Sequence, residues 1–351
     1  MRDEAQAGLR AAGPRVDGER LWASLERMAQ IGATPKGGVC RLALTDLDRE
    51  SRDLFVQWAR DAGCTVRVDK MGNVFARRAG RRADAAPVMT GSHADSQPTG
   101  GRYDGIYGVL GGLEVVRALN DAGIETERPI DVVIWTNEEG SRFAPAMVSA
   151  GVFAGVYSLE YGLSRTDAAG RTIGDELERI GYAGAEPVGG YPVHAAYELH
   201  IEQGAILERA GKTIGVVTAG QGQRWYEVTL TGIDAHAGTT PMEFRRDALV
   251  GAARMIAFVD ALGRRHAPHA RDGRHDRRSA ELAQHGAGRL LLHGRVSSSG
   301  RRRARRTRRG VACGADAYGR RNRARRADRT DLHVSACAVR GRLHRRGARR
   351  G

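Results

Sequence analysis

The sequence predicts an α/β protein, because two short apolar runs typical of strands flank one run with helical periodicity. The candidate strands lie in APVMTGSH (86–93) and PIDVVIWTN (129–137), and such runs are typical of strands buried in a parallel sheet. The residues between them carry an apolar stripe at helical spacing, formed by Val109, Leu113, Val116 and Leu119. Strand, helix and strand in this order favour an α/β domain.

Other segments extend this pattern along the first 263 residues. Apolar positions recur every three or four residues in 19–32 and 53–63, which predicts two amphipathic helices before the first strand. YELHIEQG (197–204) alternates between apolar and polar side chains, which predicts a third strand with His200 on its polar side. Strand-like runs within 213–236 and a helical pattern over 245–262 follow, so we expect a second domain to begin near Lys212 in the order strand, strand, helix.

The last part of the chain differs in charge from the rest. From Arg264 to Gly351 there are 27 arginines, no lysine and 6 acidic residues. This segment alone is therefore more positive than the whole chain, whose net charge is +15. A segment this charged, with few large apolar side chains, is predicted to be disordered. The sequence therefore predicts a first domain over 1–211, a partial second domain over 212–263 and a disordered Arg-rich tail over 264–351.

Composition argues against several classes of protein. No run of about 18 apolar residues occurs that could cross a membrane, and the first residues lack the apolar core of a signal peptide. The cysteines match neither a disulfide framework nor a metal-binding spacing; they are Cys40, Cys64, Cys313 and Cys337. We therefore expect a reduced, cytoplasmic protein with no membrane partner.

Side chains that bind metals occur near the end of each predicted strand. They are His93 and Asp95 in the first motif, Glu138 and Glu139 in the second, and His200 and Glu202, followed by Gln203, in the third, while Asp104 precedes the predicted helix. Ligand sites in open α/β sheets lie at the carboxyl ends of strands, so these groups are expected to converge. Two imidazoles with carboxylates and without cysteine suit Zn²⁺, Mn²⁺ or Co²⁺.

This pattern predicts a metal-dependent hydrolase. His93 would be a metal ligand oriented by Asp95, and Asp104 would bridge two ions. One of the adjacent glutamates would ligate metal while the other accepts a proton from water. Each motif also has an ordinary structural explanation, because a single His-x-Asp pair rarely binds metal and a Glu-Glu pair is usually a helix start or a solvated turn. A metal site is favoured because all of these groups lie where strands end.

Four stretches resemble one known family, in the same order along the chain. They are GSHADSQPTGGRYDGIYGVLGGLEVVRAL, WTNEEGSRFAPAMVSAGVFAG, LHIEQG and GIDAHAGTTPMEFRRDAL. The family is that of the zinc-dependent amidohydrolases acting on N-carbamoyl amino acids, which includes N-carbamoyl-L-amino acid hydrolase, β-ureidopropionase and allantoate amidohydrolase. It is related to the aminoacylases and dinuclear carboxypeptidases. The resemblance covers residues 14 to about 262.

The resemblance implies a dinuclear-metallopeptidase-like catalytic domain, with a mixed sheet flanked by helices, and an α+β lid that also forms a homodimer interface and is incomplete here. It implies that His93, Asp104 and His200 surround one metal ion and that Asp104 and Glu139 serve a second. Zinc is the expected metal, with manganese, cobalt or nickel as alternatives.

The resemblance also implies roles in the reaction. Glu138 would be the general base, Gln203 would contact the substrate, and His236 would reach a partner's active site and stabilise the oxyanion. The implied reaction is hydrolysis of a terminal ureido group, which releases ammonia, carbon dioxide and the free amino acid.

The chain departs from the family after residue 262. The family's last histidine ligand, and an asparagine and an arginine that hold the substrate carboxylate, are expected there, and no matching context follows. We interpret GRHDRRSAELAQH (273–285) as G+C-rich coding DNA read one base out of frame, with a frameshift near residues 262 to 272. We therefore expect the chain as written to be unstable, with little or no activity.

Two other functions stay open. An allantoate or ureidoglycine amidohydrolase would use the same metal residues on a different ureido substrate. A non-enzymatic nucleic-acid binder would use the clustered arginines for salt-sensitive phosphate contacts. The tail lacks the interleaved aromatic residues that stack on bases, so we expect no specific nucleic-acid partner.

Overall fold

The computed structural model describes residues 13–218, 222–265, 280–283, 289–298 and 331–335. The chain divides into two compact units, with the boundary between Gly211 and Lys212. Among the described residues, no helix is both long enough and apolar enough to cross a membrane.

The first unit contains seven helices and five strands within its described part. The helices are α1 (Gly18–Met28), α2 (Asp46–Asp61), α3 (Ile106–Asp121), α4 (Val148–Phe153), α5 (Leu159–Leu163), α6 (Ile173–Ile180) and α7 (Ile206–Arg209). The strands are β1 (Thr65–Val68), β2 (Val74–Arg78), β3 (Val88–His93), β4 (Ile130–Trp135) and β5 (Ala195–Tyr197).

The five strands form one mixed sheet in the order β1-β2-β4-β3-β5. β3 runs parallel to β4, with His93 opposite Trp135 at the end of the register, and β5 also runs parallel to β3. β2 is antiparallel to both β1 and β4. The predicted α/β class with a mixed sheet is confirmed, and the carboxyl ends of β4, β3 and β5 lie side by side.

The core explains why the β3-α3-β4 segment folds in this way. Its apolar side chains are almost fully buried; Val109, Leu113, Val116, Val132 and Ile134 have no measurable exposure. They belong to one large cluster that also contains Leu25 of α1 and Phe55 of α2. Phe75, Met89 and Val133 form a smaller cluster. The helices predicted in 19–32 and 53–63 are confirmed as α1 and the second half of α2.

Polar contacts fix the ends and positions of these helices. The side chain of Asp17 caps α1 by accepting from the amide of Arg20, and Thr45 caps α2 by accepting from Asp48. Arg20 of α1 pairs with the buried Glu114 of α3 at 2.7 Å, which joins these two helices.

The strand predicted for YELHIEQG is shorter in the structure. β5 ends at Tyr197, so His200 and Gln203 lie in the irregular segment that follows it. β5 pairs with β3 through three residues, and beyond them the chain bends toward α3, where Leu199 lies against Gly108 and Gly111. The alternating pattern was therefore a wrong guide to strand length, because packing against the glycines of α3 replaces further sheet pairing.

The second unit contains a helix and an antiparallel sheet. β6 (Gly222–Thr231) is followed by a 3-10 turn (Met242–Phe244) and α8 (Ala248–Arg265), and the sheet order is β7-β8-β6-β9. Val228 and Leu230 of β6 bury against Ala248 and Ala252 of α8. The strand expected within 213–218 is absent from this described segment, where Val216 and Val217 are more than 85% exposed and no strand pairs with them.

Three strands of the second unit lie in the range for which the sequence predicts a disordered tail. They are β7 (Ala280–Ala283), β8 (Arg289–Ser298) and β9 (Asp331–Ser335), and β8 and β9 both pair with β6. Among the described strands, β7 pairs only with β8, and main-chain pairing of this kind does not require an amphipathic pattern. The rest of 266–351 lies outside the described residues.

Candidate metal centre

The sequence-predicted site residues of the first unit gather at one edge of the sheet. His93 is the last residue of β3, and Glu138 and Glu139 follow β4 by three and four residues. His200 follows β5 by three residues. Because these three strands are parallel neighbours, their ends deliver the side chains to the same region, with β3 in the middle.

His93 is buried and its ring orientation is fixed. Its Nδ1 lies 2.8 Å from the main-chain oxygen of Asp95. A carbonyl oxygen can only accept, so Nδ1 carries the hydrogen and Nε2 of the neutral ring has a free lone pair. The carboxylate of Asp95, expected to orient the ring, is 3.9 Å from Nδ1. The main chain of Asp95 therefore makes the orienting contact, while its carboxylate binds elsewhere.

Gly105 leaves space directly beside the His93 ring. It has φ +66°, and a Cβ at this position would overlap Nε2 of His93. The absence of that Cβ allows the chain to pass close to His93 immediately after Asp104, whose side chain is about 10% exposed. The space that a Cβ would fill is open to a ligand of Nε2.

His200 completes a cluster with His93 and Asp104. Its Nδ1 is 2.8 Å from the main-chain oxygen of Ile201, so this ring also presents Nε2, which lies 3.4 Å from Oδ1 of Asp104. Gln203, with φ +53°, donates from Nε2 to the other oxygen of Asp104 at 2.6 Å. One ligand atom from each of the three residues lies within 4.8 Å of the others.

The two glutamates point to different partners. Oε2 of Glu138 lies 3.6 Å from Nε2 of His93, whereas Oε2 of Glu139 accepts from Nε2 of Gln97 at 2.7 Å. The amides of both glutamates donate to the carboxylate of Asp95 at 3.2 Å. Asp95 therefore connects the end of β3 to the turn after β4.

The donor set fits a divalent cation. Oε1 of Glu139 is buried and accepts no hydrogen bond among the described residues, which is costly for a carboxylate oxygen unless a cation or another donor lies beside it. His93, Asp104 and His200 together supply two imidazole nitrogens and a carboxylate oxygen, a set suited to zinc and similar ions.

Burial and charge shift the pKa values at this edge. Burial disfavours the charged form of His93, but the charges of Asp95 and Glu138 outweigh it and raise the pKa of the imidazole. Burial raises the pKa of Asp95 to about 6, against the opposing charge of His93. Burial also raises the pKa of Glu138, opposed by His93 and reinforced by Asp95 and Glu139. A cation would relieve the repulsion between these carboxylates.

The remaining predicted residue, His236, belongs to the second unit. Its Nδ1 accepts hydrogen bonds from the amides of Gly238 and Thr239 at 3.0 and 3.1 Å. Nδ1 therefore carries no hydrogen, and Nε2 of the neutral ring is a donor.

Three residues at the centre were not predicted. Gly105 is required by contact with His93, Gln97 holds Glu139, and Arg41 donates to the carbonyl of Ala94 next to His93. The Asp-Gly pair at 104–105 was a usable signal for a turn that needs positive φ. Arg41 and Gln97 gave no signal, because their partners are distant in the sequence or specific to the folded arrangement.

Comparison with known proteins matches the chain to one peptidase family and to several amidohydrolases. The sequence model of peptidase family M20/M25/M40 matches residues 89–294, which extends past the point near residue 262 where the recognised motifs end. The chain is 53% identical over 259 residues to an N-carbamoyl-L-amino-acid amidohydrolase of Rhizobium meliloti, covering 74% of this chain and 62% of that protein. It is 36% identical over 234 residues to an allantoate amidohydrolase of Bacillus subtilis, covering 66% of this chain and 57% of that protein. The chain thus spans less than two thirds of the length of these relatives.

A solved structure has a similar fold. The crystal structure of an amidase of the hydantoinase/carbamoylase family from Burkholderia vietnamiensis matches with a TM-score of 0.82 and 57% identity, over 93% of this chain and 78% of that one.

Proposed function

The chain belongs to peptidase family M20/M25/M40, and from this premise we propose that it is an amidohydrolase for the terminal ureido group of N-carbamoyl amino acids. The proposal is supported by 53% identity to a relative named for that reaction. The observation that carries it is the cluster of His93, Asp104 and His200, with ligand atoms within 4.8 Å of one another.

We assign two divalent ions to this edge of the sheet. His93, Asp104 and His200 would hold one ion, and Asp104 with Glu139 would hold the second, for which the described residues supply no third ligand. When bound, such ions polarise the substrate carbonyl and lower the pKa of water. Zinc is the expected metal, with manganese, cobalt and nickel as alternatives.

Glu138 would act as general base. Its carboxylate lies 3.6 Å from Nε2 of His93, beside the ligand cluster. Gln97 donates its hydrogen bond to Glu139 and not to Glu138. Burial raises the pKa of Glu138. A general base is most effective when its pKa is close to the working pH, so this shift favours proton transfer near neutral pH. Asp95 would keep this base in place through the hydrogen bonds that its carboxylate accepts from the main-chain amides of Glu138 and Glu139.

Gln203 and His236 would act on the substrate. Gln203 is held beside Asp104 by its bond to Oδ2, which places its amide at the edge of the cluster. His236 has the tautomer that donates from Nε2, as required of a group that stabilises an oxyanion in a partner's site. A homodimer and a cytoplasmic location stay predictions from the sequence.

A substitution of Glu138 tests the proposal. Glu138→Gln keeps the shape of the side chain and removes the base, so we expect kcat for N-carbamoyl-L-amino acids to fall by about 10²- to 10⁴-fold while metal content is unchanged. Ammonia release is measured for the chain as written and for a frame-corrected version. Glu178→Gln, on the exposed side of α6, is the control and should keep full activity. In the frame-corrected version, equal turnover by Glu138→Gln and the unsubstituted enzyme would exclude the assigned role.

Allantoate is the second candidate substrate, because 36% identity links the chain to an allantoate amidohydrolase. Both substrate types carry a terminal ureido group, so the same metal residues serve either reaction. We expect kcat/KM for N-carbamoyl-L-amino acids, or N-carbamoyl-β-alanine, to exceed that for allantoate in the same assay. The opposite ratio would assign the alternative function.

A further inference from the structure

Arg41 is a fully buried cation that no carboxylate neutralises directly. Its exposure is 0%, and it forms no ion pair within the described part of the chain. Arg52, equally buried, pairs with Asp48 at 3.0 Å. Burying an unpaired charge is expensive, and an apolar side chain of similar length would fill the same volume without that cost. A function for the guanidinium itself would account for its presence.

The guanidinium of Arg41 is directed at main-chain oxygens. Nε donates to the carbonyl of Ala94 at 3.1 Å, and Nη1 donates to the carbonyl of Ile31 at 3.1 Å. Ala94 lies between His93 and Asp95, so the first bond holds the turn immediately after β3. Burial lowers the pKa of Arg41, and the negative charges of Asp48 and Asp95 oppose this effect.

The main chain of Arg41 holds the same turn from a second direction. Its amide donates to Oγ of Ser96 at 2.8 Å, and its carbonyl accepts from the amide of Ser96 at 2.8 Å. Three hydrogen bonds therefore connect one residue to the three-residue segment Ala94–Ser96. The backbone of that segment is fixed on both sides of Asp95.

Asp95 passes this constraint to the groups that would bind metal and accept a proton. Its carbonyl fixes the ring of His93 at 2.8 Å from Nδ1, and its carboxylate accepts from the amides of Glu138 and Glu139. A shift of the 94–96 turn would therefore move a ligand from β3 and the glutamate pair after β4 together.

We propose that Arg41 is a positioning residue of the candidate metal centre, which it holds in a binding geometry through the Ala94–Ser96 turn. This inference rests on the proposed function, because it assumes that His93 is a metal ligand. Arg41 touches neither substrate nor metal in this assignment.

The test uses cobalt as the probe, because its visible absorption reports ligand geometry independently of turnover. Arg41→Lys keeps the charge and loses the planar guanidinium, and Arg41→Met keeps the length and loses the charge. We expect both variants of the full chain to bind Co²⁺ about 10- to 100-fold more weakly, with shifted absorption bands, as is typical when a group supporting a ligand is lost. Leu113→Ala, in the buried face of α3, is the control for lost stability and should keep the original spectrum once folded.

A third variant guards against the case in which the Arg41 substitutions do not fold. Ser96→Ala removes the acceptor of the Arg41 amide and leaves the guanidinium in place, and we expect the same spectral shift at smaller amplitude. Original affinity and spectrum in the folded Arg41 variants, or in Ser96→Ala if these do not fold, would refute the positioning role alone. Failure of the folded, unsubstituted chain to bind Co²⁺ would refute the proposed metal centre, and the role of Arg41 with it.

Discussion

Gly105 lies at the closest approach between the loop that carries Asp104 and the ring of His93. Its φ of +66° is a conformation that costs other residues about 1–3 kcal/mol, and a Cβ would in addition overlap Nε2 of His93. The imidazole and the loop therefore cannot both keep their positions if residue 105 has a side chain.

We expect Gly105→Ala to lower the midpoint of thermal unfolding and to weaken Co²⁺ or Zn²⁺ binding by at least about tenfold, as loss of ligand support does. Gly101→Ala is the matched control in the same loop, because a Cβ there has nothing within 4 Å and its φ is not positive. Calorimetric titration with metal and a thermal melt measure both effects. Equal behaviour of the two alanine variants would contradict the contact between Gly105 and His93.

At the scale of the element, α6 is held by a cluster of arginines around one carboxylate. Glu176 of α6 accepts from Arg142 at 2.8 Å and from Arg179 at 3.0 Å, and its side chain is 2% exposed. Arg142 also donates to the carbonyl of Ala43, just before α2. Arg142, in the loop that follows Glu139, therefore connects this loop to α6 and to the residues before α2.

This cluster gives a pH dependence of stability. Burial alone would raise the pKa of Glu176, but the bonds from Arg142 and Arg179 outweigh it and lower the pKa below its usual value of 4.5. A lowered carboxylate pKa means that the stabilisation is fully present above about pH 4.5 and is lost as the pH falls through the folded-state pKa.

We expect Glu176→Gln to reduce the free energy of unfolding by about 2 kcal/mol at pH 7, the usual scale for hydrogen bonds to a charged group. The difference from the unsubstituted chain should narrow as the pH falls below about 4.5. Urea titrations at several pH values measure this difference, and Glu178→Gln is the exposed control on the same helix. A difference that stays constant down to pH 3 would show that the Glu176 charge contributes nothing.

The elements that the sequence predicts well are those with buried apolar surfaces. β3, α3 and β4 were predicted because their side chains form the centre of the core. β1 and β2 were not predicted, since they are short and contain Arg67 and Arg77. Both arginines pair with the buried Asp131 of β4, so charged side chains lie within a packed sheet. Such pairing across strands has no counterpart in local periodicity.

The same limit applies to the candidate metal centre. His93 and Asp104 were assigned from motif chemistry and the expected meeting of strand ends, and the family resemblance implied their grouping with His200 around one ion. The structure brings the three residues together. The orienting contact from the main chain of Asp95 and the contribution of Arg41 depend on hydrogen bonds between segments. Residue types alone do not encode those bonds.

At the scale of the whole molecule, the main prediction concerns the reading frame. We expect resequencing of codons 255–280 to reveal one inserted or deleted base, whose correction gives an asparagine-containing lid and a downstream histidine. The corrected protein should hydrolyse N-carbamoyl amino acids, and the chain as written should show little or no turnover. An unchanged frame in independent isolates, or clear turnover of N-carbamoyl-β-alanine by the chain as written, would contradict the frameshift or the expected loss of activity respectively.

Because β5 is short, the segment after it that carries His200 is held less rigidly than the ends of β3 and β4. β3 pairs with β4 through six residues and with β5 through three, and the His200 side chain is 30% exposed while that of His93 is 3% exposed. Segments with few pairings and much exposure open at the smallest free-energy cost. The ligands at the ends of β3 and β4 would therefore have their binding geometry before an ion binds. The His200 segment would adopt its geometry afterwards, so the rate at which the ion dissociates would depend on how often this segment opens. Amide hydrogen exchange across 197–203 should slow on addition of Zn²⁺ far more than exchange across 88–93, and equal slowing would argue for a uniformly rigid centre.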